Sequence, residues 1–121
     1  MLTCGSVSIN NRYYDGIKNN EELEEAIKAQ MIPMIESFSS DDNKVIDFSR
    51  KLVGFRLKTN EIKKSIDINH YTEENYQNTK SLAEEMLDYF KLDSRVRDYI
   101  NEQLWQAREY QSADILKEIL N

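Results

Sequence analysis

Residues 45 to 66 carry an apolar seam that constrains the fold more than any other stretch of this chain. Its members advance by alternating steps of three and four residues, so they lie on one face of an α-helix. The seam consists of Val45, Phe48, Leu52, Phe55, Thr59, Ile62 and Ile66. The same repeat allows helices to pack side by side. We therefore predict that this stretch is a helix within a helical bundle.

A β-hairpin at residues 52–68 is the alternative interpretation of this stretch. Apolar and polar residues also alternate from 53 to 58, as in a half-buried strand. Gly54 would cost a helix roughly 1 kcal/mol. The hairpin would, however, place Lys64 opposite Phe55 on its apolar face. The helix explains more positions, and it is the interpretation that we favour.

Residues that favour turns are scarce in this chain, which has three glycines and one proline among 121 residues. All-β folds need many turns, and turns favour these residues. We therefore expect an all-α fold, a small bundle of three to four helices forming a single domain over residues 1–121. The predicted helices are 20–38, 42–67, 72–91 and 94–120, preceded by an N-terminal arm at 1–19 that is either irregular or a short hairpin.

Several helix boundaries and one irregularity can be predicted from single residues. Asn20 and Thr72 are each followed by glutamates, as is typical of a helix N-cap and its first turn. Asp93 or Ser94 caps the last predicted helix. Pro33 lies inside the first one, where a missing N–H and a steric clash cost about 3 kcal/mol. We predict a kink or a break there.

The last predicted helix has two apolar faces. One face consists of Val96, Ile100, Leu104 and Ala107. The apolar residues after Ser112 are rotated from it by about 150° at 100° per residue, and Trp105 already lies on this second face. Either the helix breaks near Ser112, or one long helix presents both faces. The second face is either covered by the rest of the chain or exposed to a partner, since exposed apolar patches and tryptophan are enriched at interfaces. The predicted partner-binding residues are Trp105, Ile115, Leu116, Ile119 and Leu120.

The central seam is flanked by bases, although the chain has a net charge of -6. These bases are Arg50, Lys51, Arg56, Lys58, Lys63 and Lys64. One interpretation is charge matching inside the fold, because antiparallel packing of the first two helices would bring Glu21 to Glu25 near Lys63 and Lys64. The alternatives are an acidic partner protein and an anion or nucleic-acid site. The acidic balance disfavours a general nucleic-acid binder.

Residues suited to catalysis are few. His70 is the only histidine, and it has no matched nucleophile. The neighbouring Glu73 and Glu74 are better explained as the first turn of a helix. We predict no enzymatic activity, no catalytic residues, no metal and no cofactor.

These observations favour a non-enzymatic protein–protein interaction module, such as an inhibitor, an immunity protein or an adaptor. The partner would be another protein of unknown identity that binds a helical face, or a second copy in a homodimer. The alternative function is nucleic-acid binding by the basic residues between 50 and 64.

Cysteine content and hydropathy predict the compartment. Cys4 is the only cysteine, so no intrachain disulfide can form and a reducing compartment is the simplest interpretation. The sequence contains no pattern typical of a signal peptide and no run of about 18 apolar residues. We therefore expect a cytoplasmic protein with no membrane partner.

Overall fold

The computed structural model describes residues 16–121, and five α-helices make up its regular structure. They are α1 (Asn20–Phe38), α2 (Asp42–Asn69), α3 (Glu73–Tyr89), α4 (Ser94–Glu109) and α5 (Ala113–Leu120). The described range contains no strand, which confirms the all-α prediction. The bundle has five helices in this range, whereas three or four were predicted. None of these helices has the length and apolarity needed to cross a membrane. Most of the predicted arm at 1–19 lies outside the described residues.

Helix α2 replaces the hairpin alternative at 52–68, which is wrong. The helix runs without interruption for 28 residues. The helix-propensity cost of Gly54, about 1 kcal/mol, is smaller than the gain from the burial of Phe48, Phe55 and Ile66, since each such side chain contributes about 1.5–3 kcal/mol.

Aromatic side chains form the part of the core where α2 meets α3. The centre of the Phe55 ring lies 5.7 Å from the ring centres of both Tyr89 and Phe90. Phe48 continues this cluster towards α1, with its ring 5.6 Å from that of Phe38. The seam thus packs mainly through its aromatic members and Ile66, whereas Val45 and Leu52 at its margin stay exposed.

Two corners bring α4 and α5 back onto the core. At the first corner, Arg97 donates hydrogen bonds to the carbonyls of Leu92 (2.8 Å) and Leu87 (3.0 Å). At the second, Gln111 adopts a left-handed conformation (φ 47°), and the Ser112 hydroxyl accepts a hydrogen bond from the Ile115 amide at 3.2 Å. The helix predicted at 94–120 is therefore two helices, because Ser112 caps a new one.

Helix α1 is the most lightly attached helix of the bundle, and it contains no buried residue. The Gln30 side chain accepts a hydrogen bond from the Asp93 amide at 2.8 Å. Asn20 accepts one from the Tyr99 hydroxyl at 3.0 Å. The N-cap is Asn19, one residue earlier than predicted. The helix continues through Pro33, so the break does not form, and the kink, which was the other predicted outcome, stays a prediction.

Candidate protein-interaction surface

The five predicted partner-binding residues of the C-terminal region have different environments. Leu116 is fully buried, with an exposed fraction of 0%, so the prediction that it contacts a partner is wrong. Trp105 on α4 exposes 55% of its surface. The remaining members, Ile115, Ile119 and Leu120, are half-buried and pack against the core.

Helix α5 is buried in this way because it contacts α2, α3 and α4. Lys117 reinforces this packing, since its Nζ lies 2.7 Å from a carboxylate oxygen of Asp67 on α2. The hydrogen bond and the charge of Asp67 raise the pKa of Lys117. The apolar side of α5 thus packs into the core, and most of the exposed apolar surface lies on other helices.

Trp105 is an isolated apolar side chain on a polar part of α4. At about 100° per residue, its nearest neighbours on the helix surface are Asn101, Glu102, Arg108 and Glu109, which are all exposed. Single exposed apolar residues are common on protein surfaces. Partner binding at Trp105 stays a prediction.

The six predicted basic residues point in different directions around α2, because their spacing does not follow one helix face. Lys51 and Lys58 face α3, where their Nζ atoms lie 3.5 and 3.2 Å from the carboxylate oxygens of Glu85. The hydrogen bonds from Lys58 and Lys51, together with their charges, lower the pKa of Glu85. Lys51 also lies 5.0 Å from the centre of the Phe55 ring. Part of the basic flank is thus used for packing between α2 and α3.

The other bases of α2 are available for an external partner. Arg50, Arg56 and Lys64 are exposed, and Lys63 is half-buried. None of the four forms an ion pair with any residue of the 16–121 range. The predicted match between Lys63 or Lys64 and the first glutamates of α1 is therefore not made within the described chain.

Three of these bases surround an exposed apolar row on the side of α2 that faces away from the core. Val53 and Leu57 expose 57% and 61% of their surface. Residues seven apart share one side of a helix, so Ile46 aligns with Val53 and Leu57 lies between Arg50 and Lys64. We call this the outer α2 surface, and it consists of Ile46, Arg50, Val53, Arg56, Leu57 and Lys64.

This surface could have been found in the sequence. The steps from Ile46 to Val53 and from Val53 to Leu57 are seven and four residues, which is the same helical spacing as in the seam. Alpha-helices with one apolar face are typical of small bundles, and α2 has a second one. The signal was masked because the seam already accounted for most apolar residues of the segment.

A groove lies between α2 and α3, with a volume of about 340 Å³. Its polar lining consists of Lys58, Glu61, Ser65, Asn78, Ser81 and Glu85. Lys58 and Glu85 are paired with each other across it. Ser65 also donates a hydrogen bond to Asn75 at 2.7 Å, so half of the polar lining residues are already paired within the fold.

Residues 16–121 contain no group of three or more His, Cys, Asp or Glu side chains arranged to hold a metal ion. His70 ends α2 with an exposed side chain. Comparison of the chain with protein-family models, curated proteins and solved structures finds no match. The function therefore has to be inferred from the residues of the chain.

Proposed function

We propose that this protein is a non-enzymatic protein–protein interaction module, such as an inhibitor, an immunity protein or an adaptor, and that it binds its partner through the outer α2 surface. The observation that carries this proposal is the exposed apolar pair Val53 and Leu57, flanked by arginine and lysine side chains that form no ion pairs within the described residues. A cytoplasmic location belongs to the same proposal, since one cysteine permits no intrachain disulfide.

The apolar row supports a protein partner. Burying a valine or leucine side chain contributes about 1.5–3 kcal/mol, so a partner that covers Val53 and Leu57 has a substantial source of affinity. An amphipathic helix is suited to this row, because its apolar residues recur at i, i+3, i+4 and i+7.

The bases define the charge of that partner. Arg50, Arg56 and Lys64 surround the apolar row, and Arg is enriched at protein interfaces. Opposite charges across an interface increase the association rate and suppress wrong partners. The partner is therefore an acidic amphipathic helix.

A synthetic peptide tests this proposal directly. The probe is a fluorescein-labelled helical peptide with leucines at i, i+3, i+4 and i+7 and glutamates beside them, and anisotropy measures its binding. We expect binding to the wild-type chain and its loss in the double variant Val53→Glu/Leu57→Glu. A matched peptide with serine in place of leucine separates apolar binding from charge attraction.

Trp105→Glu is the matched control, because Trp105 is as exposed as Val53 but lies on α4. It should bind the peptide as the wild type does. Loss of binding in this control, with binding retained in the α2 double variant, would move the site to the C-terminal region.

Nucleic-acid binding is the second candidate function, and the exposed bases of α2 favour it. A single-stranded oligonucleotide in the same assay distinguishes it from peptide binding. Phosphate contacts would make its affinity fall steeply with salt, and Arg56→Ala/Lys64→Ala would weaken it while Val53→Glu/Leu57→Glu would have a smaller effect through charge alone. No oligonucleotide binding at low salt would exclude this candidate.

A further inference from the structure

Helix α1 carries an exposed surface whose charge is opposite to that of the outer α2 surface. Ile32 and Ile35 are about half exposed, on the side of α1 away from Leu23, Ile27 and Met34, which pack against the core. Lys28 and Glu36 lie one turn before and one turn after Ile32, and Glu21, Glu24 and Glu25 lie in the first two turns of the helix. We call this the outer α1 surface, and it consists of Glu21, Glu24, Glu25, Lys28, Ile32, Ile35 and Glu36.

We propose that the acidic amphipathic helix that occupies the outer α2 surface is α1 of a second copy of this chain. This inference rests on the proposed function, because it names the partner of the same surface. In a two-fold dimer each copy offers the same patch to the other. The outer α1 surface of each chain would thus contact the outer α2 surface of its partner.

The charges select this pairing over the other pairings of the two helices. A contact between two outer α2 surfaces would bring arginines and lysines together, and a contact between two outer α1 surfaces would bring glutamates together. Like charges that meet at an interface are strongly unfavourable. Only the contact between α1 and α2 joins opposite charges, and it covers Ile32 and Ile35 as well as Val53 and Leu57.

The two helices that form the proposed contacts are neighbours in the fold. Helices α1 and α2 follow one another in the chain, with three residues between them. The Phe38 and Phe48 rings hold them together on the core side. The two outer surfaces therefore belong to neighbouring helices, as a partner that contacts both of them requires.

Charge reversal followed by mixing tests this dimer. One variant is Glu24→Lys/Glu25→Lys and the other is Arg56→Glu/Lys64→Glu, and all four side chains are exposed. Sedimentation equilibrium over a range of protein concentrations measures the monomer–dimer constant. We expect a wild-type dimer and at least a tenfold weaker dimer, about 1.4 kcal/mol or more, in each variant alone.

The equimolar mixture of the two variants is the decisive sample. In a heterodimer both contacts again join opposite charges, so the mixture should recover dimerisation. The control Glu102→Lys/Glu109→Lys makes the same charge change on exposed positions of α4, and it should dimerise like the wild type. Circular dichroism establishes that each variant is folded.

Three results would overturn the second-copy assignment: a wild-type chain that stays monomeric, a dimer that neither variant weakens, or a mixture that does not recover. The peptide assay distinguishes this failure from failure of the proposed function. A monomeric chain that binds the acidic peptide through Val53 and Leu57 retains the interaction surface, with a different protein as its partner.

Discussion

Two residues of α2 provide the sharpest test of which side of this helix belongs to the core. Phe55 exposes 3% of its surface and Leu57 exposes 61%. Two residues correspond to about 200° around a helix, so the two side chains lie on nearly opposite sides. Phe55→Ala and Leu57→Ala should therefore differ strongly in their effect on the free energy of unfolding.

The expected magnitude for Phe55→Ala follows from its packing. Removal of a buried phenylalanine side chain costs about 3–5 kcal/mol, through lost transfer free energy and the cavity left behind. The Phe55 ring also pairs with Tyr89 and Phe90, both at 5.7 Å, and such aromatic pairs add about 0.5–1.5 kcal/mol. We therefore expect a loss in the upper half of the range. Leu57→Ala should stay within about 0.5 kcal/mol.

Urea titration followed by circular dichroism at 222 nm measures both variants against the wild type. The loss for Phe55→Ala should be a large part of the total stability, since domains are stable by about 5–15 kcal/mol. The opposite order, with Leu57→Ala more costly than Phe55→Ala, would mean that α2 packs through its other side. The outer α2 surface would then be core, and the proposals built on it would fail.

Three further substitutions test separate features by the same titration. Gly54→Ala should stabilise the chain by about 0.8–1.0 kcal/mol, because an added Cβ meets no atom within 4 Å; a loss would reveal a hidden close contact. Leu116→Glu should cost about 3 kcal/mol or more, since it creates a cavity and buries a charge, whereas unchanged stability would return α5 to the predicted partner site. Glu85→Gln should cost about 0.2–1 kcal/mol at neutral pH, as expected for an exposed pair. Because the pKa of Glu85 is lowered in the folded chain, this difference should be complete above about pH 5 and should vanish as the pH falls through the lowered pKa; a difference that persisted in acid would exclude the ion pairs as its source.

The fold class could be predicted because local and long-range signals agree. The scarcity of glycine and proline excluded a fold rich in turns, and the spacing from Val45 to Ile66 indicated the long helix that the structure contains. The break between α4 and α5 could be predicted near Ser112, because serine is a favourable N-cap residue. The sequence could not show that the break occurs there and not elsewhere. Gln111 adopts a left-handed conformation, which is usually signalled by a glycine, and this position has none.

The C-terminal apolar residues show what periodicity alone cannot determine. A rotation of the apolar face by about 150° was calculated for one continuous helix, in which half of the residues would have had to face outward. Once the helix breaks at Ser112, the orientation of α5 is independent of α4. Leu116 can then enter the core, and of the five predicted partner-binding residues only Trp105 is left largely outside.

The alternation of charge between consecutive helices connects the core to the candidate interface. Helix α2 is basic and lies between two acidic helices in the chain, α1 and α3. On one side its charge is matched within the fold, because Lys51 and Lys58 meet Glu85. On the outer side Arg56 and Lys64 are not matched by α1, although α1 has the required acids. In the proposed dimer, α1 of the second copy would supply the acidic side chains on the outer side of α2, as α3 does on the other side within one chain. The same α1 helix would also cover Val53 and Leu57.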